Sequence, residues 1–338
     1  MGLSIVTVCM NRQEHLRATA PKVAAWPHHG EHLIVDWSST VPVRREELPA
    51  DPRIRLLRVE GERRWNLCRA YNFAVAQATG DRVLKLDADA WPTQAFDPFL
   101  PALRLPGDGA PGEPGVVCAF GSGPEGRKGQ FLMARALFEA VGGFHELLVG
   151  YGFDDKDLMA RLHQCAGEET RFLPQEWIGV IPHSDAERAE QGAGGGALAA
   201  SQGLAAMRAT RLANRLLVAH CPWGPRLGRS AYREEAPGVW RLEPGTLPRP
   251  PKKVAEEAEH ARRMTFWGYF LAIPEVFLEV LPFSLFPPAR EGRWLVRWWH
   301  RLWWHSGRRL LELPVSALVW GRRLLAGDTR SRPLQARR

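Results

Sequence analysis

A chain of 338 residues is too long for one small core and suits one large domain, or a domain of roughly 200 to 250 residues with an extension. With 45% hydrophobic and 24% charged residues, the composition excludes global disorder. The formal charge of +8 is unevenly placed: from Arg290 onward twelve arginines stand against Glu291, Glu312 and Asp328, a net of +9, so residues 1–289 sum to about −1 and the basic character belongs to the tail.

In chain order, LSIVTVC (3–9), HLIVD (32–36), RIRLLRV (53–59) and RVLKLD (82–87) read as strands, separated by the helix-like stretches EHLRATAPKVAAW and WNLCRAYNFAVAQATG. This alternation predicts an α/β fold with a mostly parallel sheet and helices on both faces, whose ligands bind beyond the carboxyl ends of the strands. Asp36 and the pair Asp87/Asp89 stand at such ends. DGAPGEPG (108–115) reads as a loop, VVCAFGSG as a strand running into glycine, and QFLMARALFEAVGG (130–143) as a helix stopped by glycine. GSGPEG (121–126) has the glycine spacing of a dinucleotide fingerprint, but Pro124 removes an N–H that a phosphate cradle needs, so it is a loop. A further helix begins near Asp154, EQGAGGGALAASQG (190–203) reads as a mobile small-residue segment, and EPGTLPRPPKK (243–253) marks a boundary. The organisation expected is 1–125 and 126–242 as the two halves of one catalytic domain, with 243–338 as linker and helical tail.

The five cysteines are scattered, with no CxxC pair, and read as reduced thiols. MGLSIVTVCMN runs straight into a strand without a basic leader, which predicts a cytoplasmic protein.

Three segments carry candidate chemistry. Asp87-Ala88-Asp89 places two carboxylates on one side of a strand end, which suits a divalent cation or, alternatively, a polar exit from the strand. His183, in VIPHSD, is either a structural imidazole or a second ligand to that cation, and a mixed O/N site favours Mn²⁺. GYGFDDKDL (150–158) has a helix-start reading, with Asp154 as N-cap and Asp157 three residues on as in a capping box. That reading explains Asp155 only loosely, because another first-turn acid adds a few tenths of a kcal/mol at most.

Taken in order, these segments resemble the inverting nucleotide-sugar glycosyltransferases of the GT-A fold, in particular the β-1,4-galactosyltransferase group and bacterial family 2 relatives. NRQEHL (11–16) resembles the loop after the first strand, VDWSS the second-strand aspartate, NLCRAYNFAVAQATGDRVLKLDAD the approach to the D-x-D, GGFHELLVGYGFDDKDL the acceptor-side signature, and IPHSDAE the segment with the last metal ligand. The resemblance implies a hexosyltransferase using a nucleoside-diphosphate sugar, with UDP-sugar preferred. It implies donor binding by Asn11, Arg12, Asp36, Asn72 and Asp87, and acceptor or sugar binding by Tyr151, Gly152 and Asp154. It further implies Asp155 as general base, and Asp89 with His183 as ligands to Mn²⁺ in preference to Mg²⁺. Asp155 is expected to be ionised at neutral pH. Met10, Phe153 and Lys156 depart from the group's pattern, so the resemblance names no donor sugar. The segment after His183 reads as a lid or as a plain linker.

In the tail, Arg290, Arg293, Arg297, Arg301 and Arg308 share one helical face and Leu295, Trp299, Leu302 and Trp303 the other, the pattern of a helix lying in an anionic membrane surface. The stretch 266–288 is interrupted by Pro274, Glu275, Glu279 and Pro282 and reads as interfacial or re-entrant. The nearly continuous apolar face disfavours nucleic acid. The function expected is therefore metal-dependent inverting transfer to a glycan or lipid-linked acceptor by a peripheral membrane enzyme of polysaccharide biosynthesis. The alternative is a non-catalytic sugar- or nucleotide-binding module of the same fold.

Overall fold

The computed structural model of the protein describes residues 2–103, 117–166, 170–182, 197–272, 302 and 306–325. Strands Leu3–Cys9 (β1) and Glu31–Trp37 (β2) are buried at every position, as parallel strands covered on both faces are, and both are centred on apolar residues. Ile54–Glu60 (β3) and Arg82–Lys85 (β4) follow, with Gln13–Ala24 (α1) crossing from β1 to β2 and Leu67–Gln77 (α2) from β3 to β4. Asn66 caps α2, its Oδ1 accepting from the Arg69 N–H at 2.9 Å.

The remaining strands are Ala90–Pro92 (β5), Cys118–Gly121 (β6), Phe131–Ala134 (β7), Arg171–Leu173 (β8), Ile178–Val180 (β9), Tyr232–Ala236 (β10) and Val239–Leu242 (β11). Nine of them form one sheet in the order β10-β11-β3-β2-β1-β4-β7-β6-β8, and β5 pairs with β9 separately. The run from β11 to β4 is parallel throughout, whereas β7 is antiparallel to both its neighbours. The mostly parallel α/β sheet expected is thus present.

Two expectations are corrected. The stretch 130–143 is not one helix: Phe131, Leu132 and Met133 are fully buried in mid-sheet, and only Arg135–Ala140 (α3) is helical. The small-residue segment 190–203 is helical from Ala197, where the 24-residue helix Ala197–His220 (α5) begins. Lys252–Phe270 (α6) packs along α5, burying Ala258, Ala261 and Met264. Arg308–Leu325 (α7) rests on α6 with Val315 buried, and the Arg322 guanidinium lies 5.2 Å from the Trp267 ring centre. The arginine face of 290–301, most of 266–288 and the segment 183–196 lie outside the described residues. All five cysteines are free thiols.

Register decides where the site falls. Val6 is level with Leu33 in β2 and Lys85 in β4, so β1, β2 and β4 end along one edge. Lys85 also pairs with Phe131 at the start of antiparallel β7, which delivers Gly129 and Gln130 to that same edge.

Candidate active site

A lysine inside a buried strand is costly unless its ammonium is paired. Lys85 is fully buried, and its Nζ donates to Asp87 Oδ1 at 2.9 Å and to the Gly129 carbonyl at 2.6 Å. Asp87 is further held by the Tyr71 hydroxyl on Oδ1 at 2.9 Å and by Gln130 Nε2 on Oδ2 at 2.7 Å. Its backbone N–H donates to Gln130 Oε1 at 2.8 Å. Asp87 is kept below the usual carboxylate range by Lys85 and these donors, which outweigh burial.

The stretch 144–154 crosses to this edge and is strapped by buried amides. Asn66 Nδ2 donates to the Leu148 carbonyl at 3.1 Å, and Asn214 Nδ2 to those of Val149 and Gly152 at 3.0 and 2.8 Å. Asn72 Nδ2 donates to the Phe144 carbonyl and to Glu146 Oε1, while its Oδ1 accepts from the Phe144 N–H. Such anchoring fixes catalytic geometry in advance. The path runs through Gly150, Gly152 and Phe153, all at positive φ, with Phe153 at +81°. That conformation is strained for a bulky side chain, and strain of this kind concentrates at functional sites.

Helix Asp154–Ala166 (α4) opens at the end of this path. The capping-box expectation is corrected: Phe153, not Asp154, precedes the helix, and Asp157 turns inward to Arg161 instead of capping a backbone N–H. Asp155 comes next to the D-x-D. A Cβ on Gly129 would lie 3.5 Å from Asp155 Oδ2, 3.6 Å from Lys85 Nζ and 3.8 Å from Asp87 Oδ2, so the missing side chain leaves a shared opening between two carboxylates and an ammonium.

Asp155 is half-buried as a residue, yet its Oδ1 is out of contact with water and has no hydrogen-bond partner. Burial and the Asp154 charge push Asp155 well above the usual carboxylate range, with Lys85 opposing and Asp87 adding to the rise. Asp154 is also raised by burial, again opposed by Lys85.

Other expected site residues fall as follows. Tyr151 is 40% exposed, and its backbone is tied to Thr210. Arg12 is half-buried just ahead of α1, its side chain making no hydrogen bond or ion pair among the described residues, and Asn11 lies beside it at φ +56°. Asn72 is 3% exposed, and its amide is hydrogen-bonded inside the fold to Phe144 and Glu146. Asp36 is likewise 1% exposed, accepting from the Ser39 and Val43 N–H groups and pairing with Arg58 at 2.5 Å. It shapes the loop above β2 and does not present a carboxylate outward. Lys85 and Gln130 were not singled out from the sequence, although a lysine within the apolar run VLKL was a visible signal, and Phe153 was noted only as a departure from the resembled pattern.

No group of three or more His, Cys, Asp or Glu side chains among the described residues is arranged to hold a metal ion. Asp89 is half-buried two residues past Asp87, and His183 lies outside the described residues. A hard cation that brings phosphate oxygens with it needs only one or two protein carboxylates, and that is the set present here.

Residues 4–107 match the family described as glycosyl transferase family 2, and residues 123–183 match the N-terminal domain of galactosyltransferase. The first match covers the strand ends with Asp36, Asp87 and Asp89, and the second covers Gly129 and the Asp154–Asp157 turn. The protein is a glycosyltransferase. More particularly, residues 4–107 carry family 2 sequence and residues 123–183 carry galactosyltransferase-like sequence.

Similar solved structures include glucosyl-3-phosphoglycerate synthase from Mycobacterium tuberculosis with Mn2+, UDP and phosphoglyceric acid, at 18% identity over 75% of this chain and 91% of that one, TM-score 0.44. The mannosyltransferase PcManGT from Pyrobaculum calidifontis with GDP-Man and Mn2+ is 18% identical over 94% of this chain and 82% of that one, TM-score 0.43. Drosophila beta1,4galactosyltransferase 7 with xylobiose is 17% identical over 55% of this chain and 72% of that one, TM-score 0.38. No curated protein matches the chain in sequence.

Proposed function

We propose that the protein transfers a hexosyl group, with inversion, from a nucleoside-diphosphate sugar to a hydroxyl of a glycan or lipid-linked acceptor, with Asp155 as the general base. The observation that carries this is the Asp155 carboxylate at the Gly129 opening, one oxygen buried without a partner and the other beside Lys85 and Asp87. The acceptor oxygen bonds to the anomeric carbon as the bond from that carbon to the diphosphate oxygen breaks. The hydroxyl proton passes to Asp155, and the nucleoside diphosphate leaves.

Tyr151, Gly152 and Asp154 line the acceptor side. Asn11, Arg12 and the second lone pair of Asp87 Oδ2 serve the donor. Asp89 and His183 would hold a divalent metal, Mn²⁺ in preference to Mg²⁺, which when bound supplies Lewis-acid stabilisation of the departing diphosphate. Because Asp155 is raised in the free protein, the base form grows as pH rises through its pKa, so the acid limb of the rate profile should lie above the ordinary carboxylate range. Binding is tested by thermal shift: UDP with Mn²⁺ is expected to raise the melting temperature, by about 2.7 kcal/mol of stabilisation at a ligand concentration 100 times Kd. No shift with UDP, GDP or other nucleoside diphosphates, with metal present, would overturn the donor reading.

A peripheral location on the cytoplasmic side of a membrane, in polysaccharide biosynthesis, is part of the same proposal. Besides the tail's net charge, α7 turns Leu310, Leu313, Trp320 and Leu324 outward, each more than half exposed, on the side away from Val315. Among the described residues no helix is long and apolar enough to cross a membrane. The full chain is expected to float with phosphatidylserine vesicles and not with phosphatidylcholine vesicles. Equal recovery with both would remove the anionic-surface reading.

A further inference from the structure

Lys156 interrupts the acidic turn at the head of α4 and has no part in the proton transfer. A cation there faces the positive end of the helix macrodipole, so the helix does not account for it. Partial burial and the charges of Arg215, Arg211 and Lys128 pull its ammonium below the usual lysine range. Those four cations come from three parts of the chain. Lys128 directly precedes Gly129, whose missing side chain leaves the opening before Asp155. Arg211 and Arg215 lie one turn apart on α5. The Arg211 Cγ is 3.3 Å from where a Cβ on Gly152 would stand, and the Arg215 guanidinium is 6.0 Å from the Phe153 ring centre. Between them, Asn214 donates to the Gly152 carbonyl at 2.8 Å, which fixes α5 against this loop. The acids of the same turn offset little of the charge, since Asp157 is paired with Arg161 and both Asp154 and Asp155 are raised toward their neutral forms.

We propose that Lys128, Lys156, Arg211 and Arg215 form an anion subsite on the acceptor side, and that the acceptor carries a phosphate group near the hydroxyl that receives the sugar. The inference deepens the acceptor reading above and rests on it. Holding like charges at one rim is unfavourable, and an anion set among them turns that repulsion into attraction while drawing the substrate to the opening. Two guanidiniums and two ammoniums suit a phosphate ester, with its several acceptor oxygens and about two charges, better than a single carboxylate. In the donor reading the diphosphate lies beyond the ends of β1, β2 and β4, which leaves this subsite to the acceptor. The phosphate belongs either to a phosphorylated glycan or to the head of a lipid-linked acceptor.

The test is calorimetric titration of the full chain, first with UDP in Mn²⁺ and then, with UDP saturating, with glucose, glucose 1-phosphate and octyl phosphate. At least one phosphate probe is expected to bind about tenfold or more tightly than glucose, by a margin that shrinks as salt is added. Tighter binding of glucose 1-phosphate supports a phosphorylated glycan, and tighter binding of octyl phosphate supports a lipid-linked acceptor. Lys156 and Arg211 are exposed, so Lys156→Gln and Arg211→Gln should fold as wild type does. Each should weaken the phosphate probe by about tenfold and leave UDP affinity and melting temperature unchanged, whereas Lys156→Arg should stay near wild type. Equal binding of glucose and both phosphate probes would overturn the inference, as would phosphate binding that neither variant weakens. A matching loss of UDP affinity in the two variants would also overturn it, because the cations would then serve the donor's diphosphate. Failure of UDP to bind in Mn²⁺ would remove the donor reading and this inference with it, whereas the other adverse results remove the inference only.

Discussion

Asp155→Asn is expected to lower the transfer rate by about 10² to 10⁴-fold while leaving the affinity for nucleoside diphosphate nearly unchanged. The same substitution should make the protein more stable. Burial and Asp154 raise the Asp155 pKa in the folded state, so the fold favours the neutral carboxyl. The stabilisation that this preference supplies is complete below the unfolded pKa and is lost as pH rises through the folded one. An amide keeps nearly the same shape without ever acquiring the charge, so Asp155→Asn should escape that loss. Above the folded-state pKa the gain expected is about 1.4 kcal/mol for each pKa unit by which the fold raises Asp155. Opposite movement of activity and stability is the usual mark of a site held in a costly state for function. Parallel measurements of turnover and of the denaturation midpoint across pH check both halves. A variant that keeps turnover would remove Asp155 as the base, and one that loses stability at high pH would contradict the burial argument.

Asp157, two residues further on, should behave in the opposite sense. Its Oδ2 accepts from Arg161 Nε and Nη2 at 3.0 and 2.7 Å, and Arg161 Nη1 donates to the carbonyls of Val141 and Gly143 at 2.6 and 2.7 Å. Both side chains are buried, at 5% and 9% exposure, so this pair clamps α4 to the stretch that leads into it. Asp157→Ala leaves a buried guanidinium without its counter-charge and is expected to cost about 3 to 5 kcal/mol. Adding Arg161→Met should recover much of that loss, because the charge that lacked a partner is then gone. Urea denaturation of the two variants decides the matter, and a stable single variant would show that the clamp does not hold α4. Two neighbouring aspartates of one acidic turn thus divide the work: one is held at a cost beside the opening, the other fixes the helix that presents it.

How much of this could be read from the sequence depends on which force shapes each segment. β1 to β4 were legible because strands covered on both faces leave long apolar runs, and α2 because its apolar positions recur at helical spacing. β7 was read as helix because Phe131-Leu132-Met133 leads directly into a true helix, and a short buried run carries no period of its own. The hairpin of β10 and β11 was not recognised as strand at all. It lies at the sheet edge, where Arg233, Glu234 and Glu235 face solvent and charged residues are normal, although Pro237-Gly238 marked its turn.

In the site, the D-x-D and the acidic turn were visible as residue types, but their meeting depends on Gly129, which is brought beside Lys85 by the antiparallel insertion of β7. No local pattern announces a contact between residues 85, 129 and 155. The capping box failed for a related reason: Asp157 found a stronger partner in Arg161 than in a backbone N–H, and tertiary pairing overrode the local rule.

Release of nucleoside diphosphate from a panel of nucleotide sugars, with Mn²⁺ and with chelator, by wild type and by Asp155→Asn, tests metal-dependent transfer with Asp155 as base. Wild type is expected to turn over at least one sugar donor in Mn²⁺, chelator to stop it, and Asp155→Asn to fall by about 10²-fold or more. Turnover undiminished by chelator, or equal in wild type and Asp155→Asn, would contradict this reading.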